Sequence, residues 1–255
     1  MTDSAKSAAT SSTSGREHHE GLLGEDYEAY YEGYYAERIP KREITARQTI
    51  QHVRDAWQGG RVSRMLDVGA GEGSLLTQLS QSKLAEALYA VEISGSGVDA
   101  IAAKKVPGVV EVKKFDGYHI PYPDKYFDVA SAIHVLEHVE HERMFLAELA
   151  RVAKTLIVEV PLEHTFRVNR SIRLGRPYGH INLYDADTFR NILETSGLNV
   201  EFAKTHSNSY AYEVCVSGKI EGAIKFSIRT AALRVIPALA AKIMTYMRIA
   251  RCVVR

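Results

Sequence analysis

The segment Leu66-Asp67-Val68-Gly69-Ala70-Gly71-Glu72-Gly73 constrains this chain more than any other. A short apolar run closes on three glycines at alternate positions. Glycine there lets backbone approach a ligand closely and aims amide donors at it. The residues that follow, to about Leu84, have helical spacing, so the unit is strand, glycine turn, helix.

The same alternation continues. Strand patterns recur at Ala87–Val91, Val109–Val112, Phe127–Ile133 and Thr155–Val160, the last stopped by Pro161. Helical stretches lie between them, at about 96–105 and as an amphipathic run at 142–152. Continuous apolar strands separated by helices predict an α/β fold, a mostly parallel sheet covered on both faces. A less regular insert runs to about Asn182, and Asp185 is placed to N-cap a helix reaching about Ser196. Two β-like runs near Val200–Lys204 and Ala211–Val216, too close for an intervening helix, predict an antiparallel hairpin at one sheet edge. Upstream, Ile44 to about Trp57 reads as a helix ended by Gly59-Gly60. Tyr27, Tyr30, Tyr31 and Tyr34 share one helical face, either packed on the body or lining a pocket as a lid. Ligands of open α/β sheets bind beyond the carboxyl ends of the strands.

Two acids sharpen the glycine turn, which alone is shared with nicotinamide and flavin enzymes. Glu92 ends the second strand about twenty residues beyond the glycines, where a carboxylate accepts ribose hydroxyls. Asp116-Gly117 follows the third strand, a loop suited to an adenine amino group. With Asp67, Gly69, Gly71, Gly73, Glu92 and Asp116 in register, the chain resembles the class I S-adenosylmethionine-dependent methyltransferases. Ile120-Pro121-Tyr122-Pro123-Asp124-Lys125-Tyr126-Phe127-Asp128-Val129 is similar to that family's LPFPDxSFDxV segment, His134-Val135-Leu136-Glu137-His138-Val139 to its xVLEHV motif, and Gly179-His180 opens a GH element before the late helix. The likeness spans about Arg64 to Val216. It implies a Rossmann-like, doubly wound, mostly parallel seven-stranded sheet in the order 3-2-1-4-5-7-6, with strand 7 antiparallel. It also implies S-adenosylmethionine as cofactor, held by Asp67, Gly69, Gly71, Gly73, Glu92, Ile93, Asp116 and Gly117, and a small-molecule acceptor.

A sulfonium methyl is already activated, so approximation and orientation can supply most of the catalysis. A base is needed where the acceptor loses a proton as it attacks. If the chain turns helical directly after the fourth strand, His134, Glu137 and His138 share one side, and on the family fold His180 returns near the same sheet edge. Imidazoles beside a carboxylate suit either a metal site or a base with its orienting partner. A minority of relatives hold a divalent metal on a Glu-x-x-Glu-His pattern, but His134 replaces its first Glu here. The reading taken is catalysis by His134 or His180 with no metal. Arg167, Arg170, Arg173 and Arg176, spaced by three in the insert, face an acceptor phosphate or carboxylate, or simply solvent.

Composition closes off other classes. The chain has 255 residues, 45% hydrophobic and 25% charged, and 32 Lys plus Arg nearly cancel 31 Asp plus Glu. This is a globular balance with no global charge for nucleic acid, which is not expected as a partner. Two cysteines, Cys215 and Cys252, are too few for a disulfide framework, and no run of about 18 apolar residues or leading apolar segment exists, so a cytoplasmic protein is expected. The neutrality hides an asymmetry. From residue 219 to 255 there are eight cations against Glu221, a net +7, leaving −6 on the other 218 residues. Ile224, Ile228, Ala231 and Val235 form a helical stripe there, with Phe226 and Leu233 on the far side and Pro237 as a break. A basic, apolar helical extension fits either an anionic membrane surface or packing on the body. The organisation expected is a disordered tail over 1–20, a helical cap over 21–60, an S-adenosylmethionine-binding domain over 61–218 and a basic amphipathic extension over 219–255. The functional expectation is methyl transfer, to an oxygen of a sugar, lipid-linked intermediate or secondary metabolite. The alternatives are a nicotinamide-dependent oxidoreductase and a non-catalytic binding module that keeps the fold. Oligomeric state is not written in the sequence.

Overall fold

In a computed structural model the described residues are 39–175 and 179–255. The predicted N-terminal tail, the tyrosine face at 27–34 and Arg176 lie outside them. Helix α1 (Ile39–Trp57) leads into β1 (Val62–Val68), α2 (Ser74–Ser82), β2 (Ala85–Glu92), α3 (Gly95–Lys104), β3 (Val109–Lys114) and β4 (Phe127–Ile133). A 3-10 turn at Leu136–His138 precedes α4 (Glu142–Val152), β5 (Ala153–Pro161), α5 (Val168–Gly175), α6 (Ala186–Thr195) and β6 (Leu198–His206). Then come α7 (Tyr210–Ser217), α8 (Lys219–Val235), α9 (Pro237–Ile243) and β7 (Met247–Val254).

The strands form one sheet in the order β3-β2-β1-β4-β5-β7-β6. β1 to β5 pair in parallel, and β7 runs antiparallel between β5 and β6. Strand alternation divides the core into two layers. Leu66, Val68, Val91, Ala132, Val158 and Val160 face α4 and α6, where Phe145, Leu149, Phe189 and Leu193 are buried. Met65, Leu88, Ala90, Val129 and Ile157 face the opposite layer, filled by Val53, Leu76, Leu79 and Ile101. Asp185 caps α6 as its sequence position suggests, accepting from the Thr188 backbone N–H at 2.9 Å while the Thr188 hydroxyl takes the Asp185 N–H at 2.8 Å.

One expected strand and one boundary need correction. Residues 210–217 form α7 instead of the second arm of a hairpin: the Ser209 hydroxyl caps its start through Tyr212 N–H at 3.2 Å, and buried Glu213 accepts from Asn208 Nδ2 at 2.8 Å. The seventh strand comes from the end of the chain. The domain therefore does not stop at residue 218, and the extension over 219–255 is helical only to Ile243. Arginines that read as tail charge are engaged in place: Arg251 donates to the carbonyls of Ala56 (3.2 Å) and Trp57 (2.8 Å), and Arg248 to Thr205 Oγ1 at 2.7 Å. Among the described residues no helix is long and apolar enough to cross a membrane.

Candidate active site

At the carboxyl end of β1 the three glycines adopt left-handed backbone, with φ of +70° at Gly69, +57° at Gly71 and +81° at Gly73. A Cβ at Gly69 would stand 2.6 Å from Val135 Cγ2, so the turn can lie against the segment after β4 only because the side chain is missing. Glu92, buried at the end of β2, accepts from Gly71 N–H at 2.8 Å through Oε2 and from Ser94 N–H at 3.1 Å through Oε1. The residue expected at the ribose therefore also braces the glycine turn. Arg42 on α1 reaches the same turn, 2.9 Å from Glu72.

Asp67 is buried opposite Ser131 of β4, whose hydroxyl donates to it at 2.8 Å. Burial pushes the Asp67 carboxyl up to about 7, with the Ser131 bond opposing and the nearby Glu92 charge adding to the rise. A cation arriving beside it, such as the amino group of a methionine, would favour its charged form. Ile93 and Gly117 (φ +92°) lie together after β2 and β3, with the Ile93 methyl 3.8 Å from where a Gly117 Cβ would be. Asp116 orders its own loop, accepting from the backbone N–H groups of Tyr118 (2.8 Å) and His119 (2.7 Å). These bonds outweigh partial burial and hold its carboxyl below the usual value.

Beyond β4 and β5 lies a chain of alternating imidazoles and carboxylates. His134, with φ +56°, sits with Nδ1 3.4 Å from Glu137 and Nε2 3.2 Å from Glu159. The other Glu159 oxygen meets His52 Nδ1 of α1 at 2.6 Å, and His52 stacks on His206 at 3.9 Å between centroids. Burial opposes a charge on His134, but the two carboxylates prevail and raise it to about 10. By the same balance Glu159 falls to about 2. The two carboxylates thus favour the imidazolium form of His134, which has no lone pair to accept a proton.

His180 is delivered by a segment zipped along the 3-10 turn: Ile181 and Asn182 N–H groups both donate to the Glu137 carbonyl, at 2.9 and 3.0 Å, and Asn182 Nδ2 donates to Val139 O at 2.6 Å. Its Nδ1 lies 2.7 Å from Glu163, two residues beyond the end of β5 at Pro161. His138 crosses the His180 ring edge-on at 4.9 Å and donates Nδ1–H to the Gly179 carbonyl at 3.0 Å.

Comparison with known proteins identifies the family. A family model described as a methyltransferase domain matches residues 35–202, well over half of the chain. The chain belongs to that family. This places it among the class I S-adenosylmethionine-dependent methyltransferases, away from the oxidoreductase alternative. Ajmaline N-methyltransferase of Rauvolfia serpentina is 27% identical over 112 residues, 40% of this chain and 36% of that protein. A ubiquinone/menaquinone biosynthesis C-methyltransferase of Stutzerimonas stutzeri is 34% identical over 98 residues, 36% of this chain and 38% of that protein. The chain thus spans little over a third of either relative. Among solved structures, the methyltransferase complexed with the Trm112 activator of Haloferax volcanii superposes with a TM-score of 0.63 at 15% identity, over 88% of this chain and 96% of that one. Geranyl diphosphate C-methyltransferase from Streptomyces coelicolor superposes with a TM-score of 0.59 at 13% identity, over 82% and 75%. At these identities the likeness is one of fold.

In the methyltransferase, ligand-type atoms of Glu137, His138 and His180 lie within 4.8 Å of one another, a spacing at which they could hold a divalent cation. Glu159, His52, His206 and Glu163 are site neighbours that sequence reasoning missed. A signal existed for one: Glu159 is the one acid inside the apolar run Leu156–Val160, where a charge must find a buried partner.

Proposed function

We propose that this methyltransferase acts on an oxygen of a small acceptor, such as a sugar, a lipid-linked intermediate or a secondary metabolite, with His180 taking the acceptor's proton. The pairing of His180 Nδ1 with Glu163 at 2.7 Å supports this reading, because it fixes the ring and stabilises the imidazolium formed by proton transfer. Burial works against charge on His180, yet Glu163 and Glu137 lift its pKa above the ordinary value. The rising limb of turnover against pH is then displaced upward. Asp67, the glycines, Glu92, Ile93, Asp116 and Gly117 hold the cofactor, whose methyl is transferred by in-line attack. Cations on α8 and α9 support an acceptor presented at an anionic membrane surface.

The test is S-adenosylhomocysteine release by His180→Asn across hydroxyl, amine and carbon acceptors. Turnover on hydroxyl acceptors falls by about 10²-fold or more while calorimetric cofactor affinity is kept. Undiminished turnover removes the His180 role, and turnover confined to amine or carbon acceptors removes the oxygen assignment. Chelator-treated enzyme is assayed alongside, and the metal-free reading expects no loss.

A further inference from the structure

Of the two roles open to the apolar stripe of α8, a membrane surface or packing on the body, its exposure favours the first. Ile220 is 80% exposed and Val235 78%, and Ile224 and Ile228 between them are also exposed. Positions 222, 226 and 229 face the protein. A Cβ at Gly222 would stand 2.6 Å from the Glu213 carbonyl oxygen, Phe226 packs edge-on to Tyr210 at 5.7 Å, and Arg229 Nε lies 3.2 Å from Glu213. The orientation is therefore fixed by close packing on α7, and the isoleucines have no partner among the described residues. Ile236 just before α9, and Leu239 and Ile243 on it, continue the exposed surface.

This face reaches the catalytic loop. Phe166 N–H donates to the Lys242 carbonyl at 2.8 Å, which sets the loop carrying Glu163 beside the end of α9. The Phe166 ring is 74% exposed, and Arg167, Arg170 and Arg173 on or beside α5 are exposed as well. Residues 219–243 carry five cations, of which Arg229 turns inward to Glu213 and Lys242 meets Asp185, leaving Lys219, Lys225 and Arg234 against Glu221, while 166–175 carry three against none. A contiguous exposed apolar patch of this kind marks an interaction surface. Its chemistry, branched apolar side chains with Lys and Arg interspersed on helices too short to span, fits the headgroup region of an anionic bilayer. A second copy of the chain would oppose one strongly positive face to another.

We infer that α8, α9 and the Phe166 loop form a docking face for anionic lipid, seated so that an acceptor anchored in the bilayer reaches the His180–Glu163 pair from the membrane side. This inference deepens the proposed function and rests on it for the acceptor, while the docking itself is tested separately. Full-length protein is sedimented with vesicles of phosphatidylcholine alone and of phosphatidylcholine with phosphatidylglycerol, beside the double variant Ile224→Gln/Ile228→Gln. Wild type pellets with the anionic vesicles only, and the variant's partition coefficient drops about tenfold or more for two buried isoleucines lost. Because both positions are exposed, the melting temperature and the calorimetric affinity for S-adenosylmethionine stay at wild-type values. The same titration reports on the methyltransferase reading independently of vesicle binding. Equal pelleting of variant and wild type overturns the docking face. So does a wild type that ignores anionic vesicles, or one that forms a dimer dispersed by the double substitution instead.

Discussion

Glu159→Gln removes the charge that joins the cap helix to the catalytic edge of the sheet while keeping the side chain's size. In the wild type this fully buried carboxylate answers His52 at 2.6 Å and His134 at 3.2 Å. Removing one partner of a buried ion pair strands the other, at a cost of about 3–5 kcal/mol. The described fold has over two hundred residues, so the melting temperature falls by about 10 °C near neutral pH. The pH dependence identifies the cause. His134 is raised from 6.5 to about 10, so its contribution is complete below 6.5 and is lost as pH climbs through 10. Glu159 is lowered from 4.5 to about 2, so its contribution is present above 4.5 and is lost as pH falls through 2. These describe one coupled interaction from two sides and do not add. The variant's deficit in urea-unfolding free energy is therefore largest between 4.5 and 6.5 and shrinks toward 10, where the wild type loses the same charge. A deficit below about 1 kcal/mol at mildly acid pH, or one that stays constant up to the alkaline limit, would refute the reasoning.

Two further outcomes follow from the geometry. Glu92→Ala takes away both the proposed ribose acceptor and the brace on Gly71 N–H, so calorimetry shows S-adenosylmethionine affinity reduced by about 10²-fold; unchanged affinity separates Glu92 from the cofactor. Gly222→Ala places a methyl 2.6 Å from the Glu213 carbonyl oxygen, where backbone must move, so thermal unfolding shows a loss of about 1–3 kcal/mol with cofactor affinity retained.

The parallel strands and the glycine turn were readable because their signals are local. Each of β1 to β5 is a short apolar run next to its own turn, and Gly69, Gly71 and Gly73 declare a left-handed turn whatever surrounds them. Strand β7 was not readable. Arg248 and Arg251 interrupt its alternation, and only the opposing Thr205 hydroxyl and the Ala56 and Trp57 carbonyls show why charge is tolerated in an interior strand. The run Ala211–Val216 misled for the converse reason: its β-branched and aromatic residues suit a strand, but capping by Ser209 and the close approach of Gly222 favour α7.

The histidines divide along the same line. That His134, Glu137, His138 and His180 would converge followed from spacing and the family's motifs. Their charged partners did not, because Glu159, Glu163 and His52 are brought in by the fold, with His52 and Glu159 lying 107 positions apart in the chain. Local sequence determined the strands, the glycine turn and therefore the cofactor, since backbone conformation and strand periodicity depend on neighbouring residues. Tertiary structure alone decided which carboxylate each imidazole meets and which side of α8 meets solvent. Those outcomes depend on electrostatics and packing between elements that the chain brings together only when folded.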